Sequence, residues 1–295
     1  MPSAGAAPPV TSTANPTVKR LRRLRLKKHR RAEGLFLAEG LRILLEALET
    51  GRTPRILLHA AGRETQPALA RLIEATRAAG GQVLAASGAV LSAVTGKDNP
   101  QLVAGAYAAE EAGLSGLRPA AGRLVAAERL RDPGNLGTLL RACDGAGAGG
   151  LVLIGPSADP FSVEAVRASM GAIFTVPVAR VGAGAFLAWA HRHGIHLVGA
   201  ALDPRAADYR VAAFPAPCCI LLGNERDGLA EPLAAACAGL VAIPMRGRAD
   251  SLNVAMAGTL LLYEALRRQE PAPRAPGAPP ASAGGARLPP ASQDH

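Results

Sequence analysis

The sequence predicts an α/β protein built as two units, each a sheet covered by helices. Three observations carry that expectation. Short apolar runs alternate with segments of helical periodicity through most of the 295 residues, as strands buried on both faces and their crossover helices do. Both ends are rich in Pro, Ala, Gly and Ser, with seven prolines between 271 and 295, and such composition cannot bury a core. A composition change over 109–122 (AEEAGLSGLRPAAG) reads as a linker. The expected organisation is a disordered tail over 1–14, a first domain over 15–110, a linker over 111–121, a second domain over 122–268 and a disordered tail over 269–295.

In the first unit a basic helix over about 18–31 precedes an extended run at 34–38, a helix at 41–50, a strand at 55–59 and a helix at 67–79. Strands near 83–86 and 102–108 follow, with a short helix between them. This is a small α/β sandwich of ordinary domain size with no constellation of catalytic type. The second unit alternates more strictly. Strands at 124–128, 151–154, 174–178, 196–200, 219–222 and 240–243 are interleaved with helices at 135–146, 162–171, 184–193, 229–238 and 251–268. The pattern implies a parallel sheet whose ligand sites lie in the loops after the strands.

Composition narrows the function. With 49% apolar and 19% charged residues the chain is no disordered protein. No run approaches the roughly 18 apolar residues of a membrane span, and the first residues lack the charged-then-apolar order of a secretory signal, so a soluble, cytoplasmic protein is expected. The net charge of +10 is concentrated: nine Lys and Arg residues lie between Lys19 and Arg31 with no acidic residue among them. Such a segment is a footprint for a polyanion or, more plainly, a solvated helix face. Val18, Leu21 and Leu24 recur at spacings of three, a stripe that docks the helix and turns Arg20, Arg23, Lys27 and Arg30 outward toward RNA phosphates. Cys143, Cys218, Cys219 and Cys237 show no metal spacing and read as reduced core thiols; His191, His193 and His196 have no carboxylate or thiol close by in sequence. No metal is expected.

The glycines at 145, 147, 149 and 150 close a helix and lead into a strand, the reverse of a dinucleotide fingerprint, and read as cap and turn chemistry. Three other loops follow strands and open helices: RDPGNLG at 131–137, continuing to Arg141; LGNERDGL at 222–229; and IPMRGRADSLN at 243–253. Taken singly, Asn135 and Ser251 read as helix caps, Gly223 as a turn and 246–250 as a solvated charge run.

Together these loops resemble the three motifs of the SpoU-type (TrmH-like) RNA 2′-O-ribose methyltransferases, in the SPOUT class of S-adenosylmethionine-dependent enzymes. The matching pieces are N-x-G-x-x-x-R at 135–141, L-G-N-E-x-x-G-L at 222–229, and I-P-M with S-L-N at 243–253. The resemblance covers about 122–268, and EGLFLAEG at 33–40 is similar to the start of the family's substrate-binding domain. It implies a SPOUT domain whose C-terminal segment is tucked into a trefoil knot, a topology ordinary connection rules do not produce. It also implies an N-terminal module resembling ribosomal proteins that grips RNA, and a homodimer whose active site borrows a residue from the partner chain.

Carried over, Gly223, Ile243 and Leu252 contact the cofactor largely through backbone, with Leu222, Met245 and Asn253 beside them. Arg141 is the family's candidate for removing the ribose proton, but a guanidinium hardly ever deprotonates in a protein. It is better suited to holding the target phosphate and stabilising the developing alkoxide, with Glu225 positioning it or accepting the proton. Asn135, Ser251 and Asn253 serve as neutral hydrogen-bonding groups. Arg226 and Asp227 depart from the small or acidic residues of many relatives, which bears on substrate contact. The expected activity is ribose 2′-O-methylation of structured RNA, ribosomal RNA before tRNA because of the separate N-terminal domain. The alternatives are a tRNA ribose or base methyltransferase of the same class, or a catalytically silent RNA-binding protein.

Overall fold

A computed structural model describes residues 8–224 and 226–270. The first unit runs α1 (Pro16–Arg23), α2 (Lys27–Glu33), β1 (Leu35–Glu39), α3 (Leu41–Glu49), β2 (Ile56–Ala60), α4 (Pro67–Ala78), β3 (Gln82–Ala86), α5 (Gly88–Thr95) and β4 (Val103–Ala108). Its sheet has the order β1-β4-β2-β3, with β4 antiparallel to both neighbours and β2 parallel to β3. Alternation along β1 splits the core: Leu35 and Leu37 face Val18, Leu21 and Leu24, while Phe36 and Ala38 face Leu44 and Leu72. The α1 stripe is thus fully buried, as its spacing implies.

The basic segment is two helices rather than the expected one. After α1, Leu26 turns extended (φ −97°, ψ 128°) and α2 starts afresh. The cause is Arg30. Its Nη1 donates to the carbonyls of Leu24 and Arg25 at 2.9 and 2.8 Å, groups that a helix end leaves unpaired. Its Nε and Nη2 donate to Asp159 Oδ2 in the second unit at 3.1 and 2.6 Å. Arg30 is 5% exposed, so the expectation that it faces outward toward RNA is corrected: it is an internal strut. Arg20, Arg23 and Lys27 do face solvent, although Arg20 is ion-paired to Glu33. Part of the segment expected as the N-terminal tail is paired. Val10 lies beside β3, its N–H on the Ala85 carbonyl and its own carbonyl accepting from Ser87.

The second unit continues with β5 (Arg123–Glu128), α6 (Pro133–Gly145), β6 (Leu151–Ile154), α7 (Val163–Ser169), β7 (Val178–Val181), α8 (Ala183–Arg192), β8 (His196–Ala200), β9 (Ala207–Asp208), β10 (Cys218–Leu222), α9 (Glu231–Ala235), β11 (Gly239–Ala242) and α10 (Val254–Gln269). The seven strands are parallel in the order β7-β6-β5-β10-β8-β11-β9. Helices α6 and α10 cover one face and α8 with α9 the other. Gln269, at the end of α10, accepts from Arg123 at 3.1 Å, which carries the ordered chain past the expected limit of 268.

Two local expectations fail for identifiable reasons. The strand expected at 174–178 lies at Val178–Val181, because 172–174 forms a 3-10 turn that delivers Phe174 to the other unit. There its ring meets Tyr107 at 4.8 Å and Phe36 at 5.7 Å, and Phe161 stacks on Phe36 at 5.0 Å. The helix caps are Asp132 and Asn253, not Asn135 and Ser251. The four cysteines carry free thiols, and burial pushes Cys143 up to about 12 and Cys237 to about 11. Among the described residues no helix is long and apolar enough to cross a membrane.

Arg30→Ala leaves Asp159 and two carbonyls without their donor in a low-dielectric contact. It is expected to lower unfolding stability by about 3–5 kcal/mol, read by chemical denaturation of the full chain; an unchanged midpoint excludes the strut.

Candidate functional site

The C-terminal ends of β10, β8 and β11 open into one cleft of about 430 Å³, within the range of small-molecule sites and at the strand edge where open α/β sheets bind ligands. Of the six residues expected at the cofactor, Leu222, Gly223, Ile243, Met245 and Leu252 line it and Asn253 does not, and Ser251 lines it with them. Leu240 adds to its apolar surface, while Asp203 and Glu231 supply carboxylates. Arg205 donates to Asp203 through Nε and Nη2, and these bonds hold the Asp203 carboxyl down to about 2, ionised at any neutral pH.

The loop after β10 doubles back on itself. A Cβ at Gly223 would lie 2.2 Å from the Gly228 carbonyl carbon and 2.4 Å from the Leu229 nitrogen, so only glycine permits this approach. Asn224 organises the turn: its Oδ1 accepts from Arg226 and Asp227 N–H at 2.7 and 3.0 Å, and its backbone pairs both ways with Gly228. Glu225, expected in catalysis, lies outside the described residues.

The end of β5 clamps this loop. The buried Glu128 accepts from the Ala230 N–H at 2.8 Å. Next to it Arg129 adopts the left-handed region (φ 48°), unusual for a bulky residue, and reaches Asp227 at 3.6 Å. The sequence reading singled out neither residue. The available signal was the charged pair Glu128-Arg129 directly after an apolar strand, where a polar group faces the strand-end cleft.

Asn135 and Asn253 meet: Asn253 Nδ2 donates to Asn135 Oδ1 at 2.8 Å. Asn253 Oδ1 meanwhile accepts from Ala255 and Met256 N–H as the α10 cap. Arg141 stands apart. Six residues beyond Asn135, it lies roughly a third of a turn round α6, exposed and outside the cleft, with no hydrogen-bond or ion-pair partner among the described residues. Of the glycines after α6, Gly147 makes the expected turn in the left-handed region (φ 60°), while Gly149 and Gly150 are packing residues: a Cβ at Gly149 would overlap the Arg118 carbonyl oxygen at 2.0 Å. Among the described residues no three His, Cys, Asp or Glu side chains are grouped to hold a metal.

Residues 122–263 match the SpoU rRNA Methylase family, and residues 15–105 match the MRM3-like substrate binding domain. A 23S rRNA guanosine 2′-O-methyltransferase, RlmP of Bacillus subtilis, is 31% identical, with 86% of this chain and 97% of that protein aligned. A 23S rRNA uridine 2′-O-methyltransferase of Streptomyces viridochromogenes is also 31% identical, covering 82% of this chain and 86% of its own. Among solved structures, an AdoMet-bound rRNA methyltransferase from Sinorhizobium meliloti superposes with a TM-score of 0.82 at 40% identity, over 88% of this chain and 97% of that one.

The β5 clamp is testable without any ligand. Glu128→Ala removes a charged acceptor worth about 1.5–3 kcal/mol, so amide exchange over 226–230 is expected to quicken roughly tenfold or more while that of β6 stays unchanged. Equal exchange in both proteins would show that the loop holds itself.

Proposed function

Because the chain belongs to the SpoU rRNA methylase family, we propose that it transfers the methyl group of S-adenosylmethionine to a ribose 2′-hydroxyl of structured RNA, ribosomal RNA in particular. The observation that carries this reading is the convergence of three loops far apart in sequence. The loops after β10 and β11 share one cleft, and the loop after β5 reaches it through Asn135, Asn253 and the Glu128 clamp. The named relatives acting on 23S rRNA align over both units, which favours ribosomal RNA over tRNA.

The cleft fits the cofactor by its chemistry. Leu222, Leu240, Ile243 and Leu252 offer apolar surface for an adenine ring, the tight turn at Gly223 presents backbone groups, and Glu231, with Asp203 held by Arg205, offers carboxylate acceptors for ribose hydroxyls. When bound, S-adenosylmethionine supplies an electrophilic methyl group on a sulfonium. The protein's task is alignment and proton removal. Asn135 and Asn253, locked to each other, hold the acceptor ribose, and Ser251 shapes the loop beside them. Arg141 is an always-charged fork that grips the phosphate of the target nucleotide and stabilises the developing alkoxide. Glu225, from its place in the second motif, positions Arg141 or takes the proton.

Arg141 lies outside its own cleft, which supports a site completed by a second copy of the chain. Met256, Leu260 and Tyr263 are exposed at spacings of four and three along α10, an apolar stripe with no cover among the described residues. Tyr263 Oη approaches Gly145 on α6, the helix that carries Arg141. A homodimer across α6 and α10 buries the stripe. The loops after β10 and β11 line one cleft, which is compatible with the knotted threading of the SPOUT class, and a cytoplasmic location fits a ribosomal substrate.

The test is transfer from methyl-labelled S-adenosylmethionine to ribosomal RNA, with the modified atom mapped by mass spectrometry. Arg141→Ala is expected to lower turnover at least a hundredfold while calorimetric affinity for S-adenosylmethionine stays within a few-fold; label on a base instead of a 2′-oxygen overturns the assignment. Leu260→Arg is expected to shift the protein from dimer to monomer in sedimentation and to abolish transfer, and a wild type that sediments as a monomer excludes the shared site.

A further inference from the structure

A second groove, of about 730 Å³, runs between the two units, walled by the α1–α2 turn and the end of α5 on one side and by α7 on the other. Its charged lining is Arg22, Arg23, Arg25, Lys97, Arg167 and Glu164. Lys97 is already committed, its Nζ 2.5 Å from the buried Glu39. Arg22, Arg23, Arg25 and Arg167 are exposed, and their guanidiniums have no hydrogen-bond or ion-pair partner among the described residues. Four unpaired guanidiniums thus face one lining carboxylate across a single groove, and three come from the first unit and one from the second.

The groove is built. Arg25's guanidinium lies flat against Gly96, where a Cβ would sit 2.2 Å from its Nη1, at the left-handed cap of α5 (φ 68°). The carbonyl end of that helix is a favourable seat for a cation. Arg30 fixes the rest: it binds the carbonyls of Leu24 and Arg25, holding the turn that carries the arginines, and through Asp159 it ties that turn to the unit that carries Arg167. Arginines kept apart and unpaired repel one another unless a polyanion lies between them, and the planar fork matches phosphate oxygens two at a time.

We propose that this groove holds a run of RNA backbone, with phosphates on Arg22, Arg23 and Arg25 of the first unit and Arg167 of the second, so that one strand spans both units. The proposal rests on the reading that the substrate is RNA, and it moves the phosphate track: of the residues expected from sequence only Arg23 lies in the groove.

The experiment uses the full chain and a fluorescein-labelled 12-nucleotide oligouridylate, followed by anisotropy across a salt series, with polyglutamate of equal charge as a second probe. Arg25→Ala with Arg167→Ala is expected to weaken oligouridylate binding more than tenfold and to reduce the log–log salt slope by roughly 1.4, two single-strand contacts. Gly96→Ala, which keeps every charge but displaces the Arg25 guanidinium, is expected to weaken it at least threefold. The comparison is Lys28→Ala with Arg31→Ala, an equal loss of charge outside the groove, expected to change affinity less than threefold. If both double variants behave alike, or Gly96→Ala binds as wild type, the groove is only a solvated basic surface and the methyltransfer reading stands untouched. If polyglutamate binds as tightly as the RNA and loses as much in the groove variant, the partner is an acidic protein. A wild-type chain that binds no oligouridylate and methylates no RNA overturns the groove together with the reading it rests on.

Discussion

The parallel ladder that seats β10 between β5 and β8 positions everything at the site. Cys218 to Leu222 run in register with Arg123 to Ala127 on one side and with His196 to Ala200 on the other, so three chain segments end at one level. Whatever follows those strands must then share the same space. Glu128 is the next residue of β5 after that register, which is why its carboxylate reaches the loop that follows β10. Gly258 extends the constraint to α10: a Cβ there would sit 2.7 Å from both Leu139 of α6 and Leu222 of β10. The helix that Asn253 caps is thereby pressed against the helix that carries Asn135, and the pairing of the two amides follows from close packing as much as from their own attraction.

A second constraint joins the units. Arg30 and Asp159 lie 129 residues apart, yet their ion pair is almost dry, and the ring cluster of Phe36, Tyr107, Phe161 and Phe174 lies across the same boundary. Polar strut and apolar contact do different work. The rings contribute non-directional burial that tolerates small rotations, whereas the guanidinium fork accepts only one orientation of turn and carboxylate. A surface that binds one strand across two units needs that second kind of restraint.

What could be read from the sequence divides along the same physical line. Strands were legible because a parallel sheet buries both faces, so that continuous apolar runs such as LVAA at 124–127 and CILL at 219–222 declare themselves. The cleft residues were legible because their spacing in the loops resembles a known pattern, and five of the six residues expected at the cofactor line one cleft, Asn253 standing outside it. What failed was set by partners distant in sequence. Nothing near Arg30 announces that Asp159 will bury it, and nothing in 174–178 announces that Phe174 belongs to an aromatic cluster of the other unit. Arg129 was missed for a related reason, because a left-handed backbone at a bulky residue is a strain that only the surrounding structure maintains.

The distribution of charge makes the two binding surfaces a consistent pair. The cleft lining mixes signs, with Asp203 paired to Arg205 and with Asp227, Glu231 and Arg226 beside them, so it presents no continuous cationic track for a phosphate backbone. The groove between the units carries unpaired arginines and repels a cationic ligand. Arg141 stands outside both, on a helix face bordered by the bare apolar stripe of α10. A guanidinium without a counter-ion beside such a stripe is poorly placed in a lone chain, where water covers apolar surface that burial would favour by about 25 cal/mol per Å². In the homodimer proposed above, a second copy covering the stripe would remove that cost and would bring Arg141 of one chain toward a phosphate held by the other. The arginine would then stand between the ligand cleft and the RNA track, where a cation can balance the negative charge that develops on the acceptor oxygen.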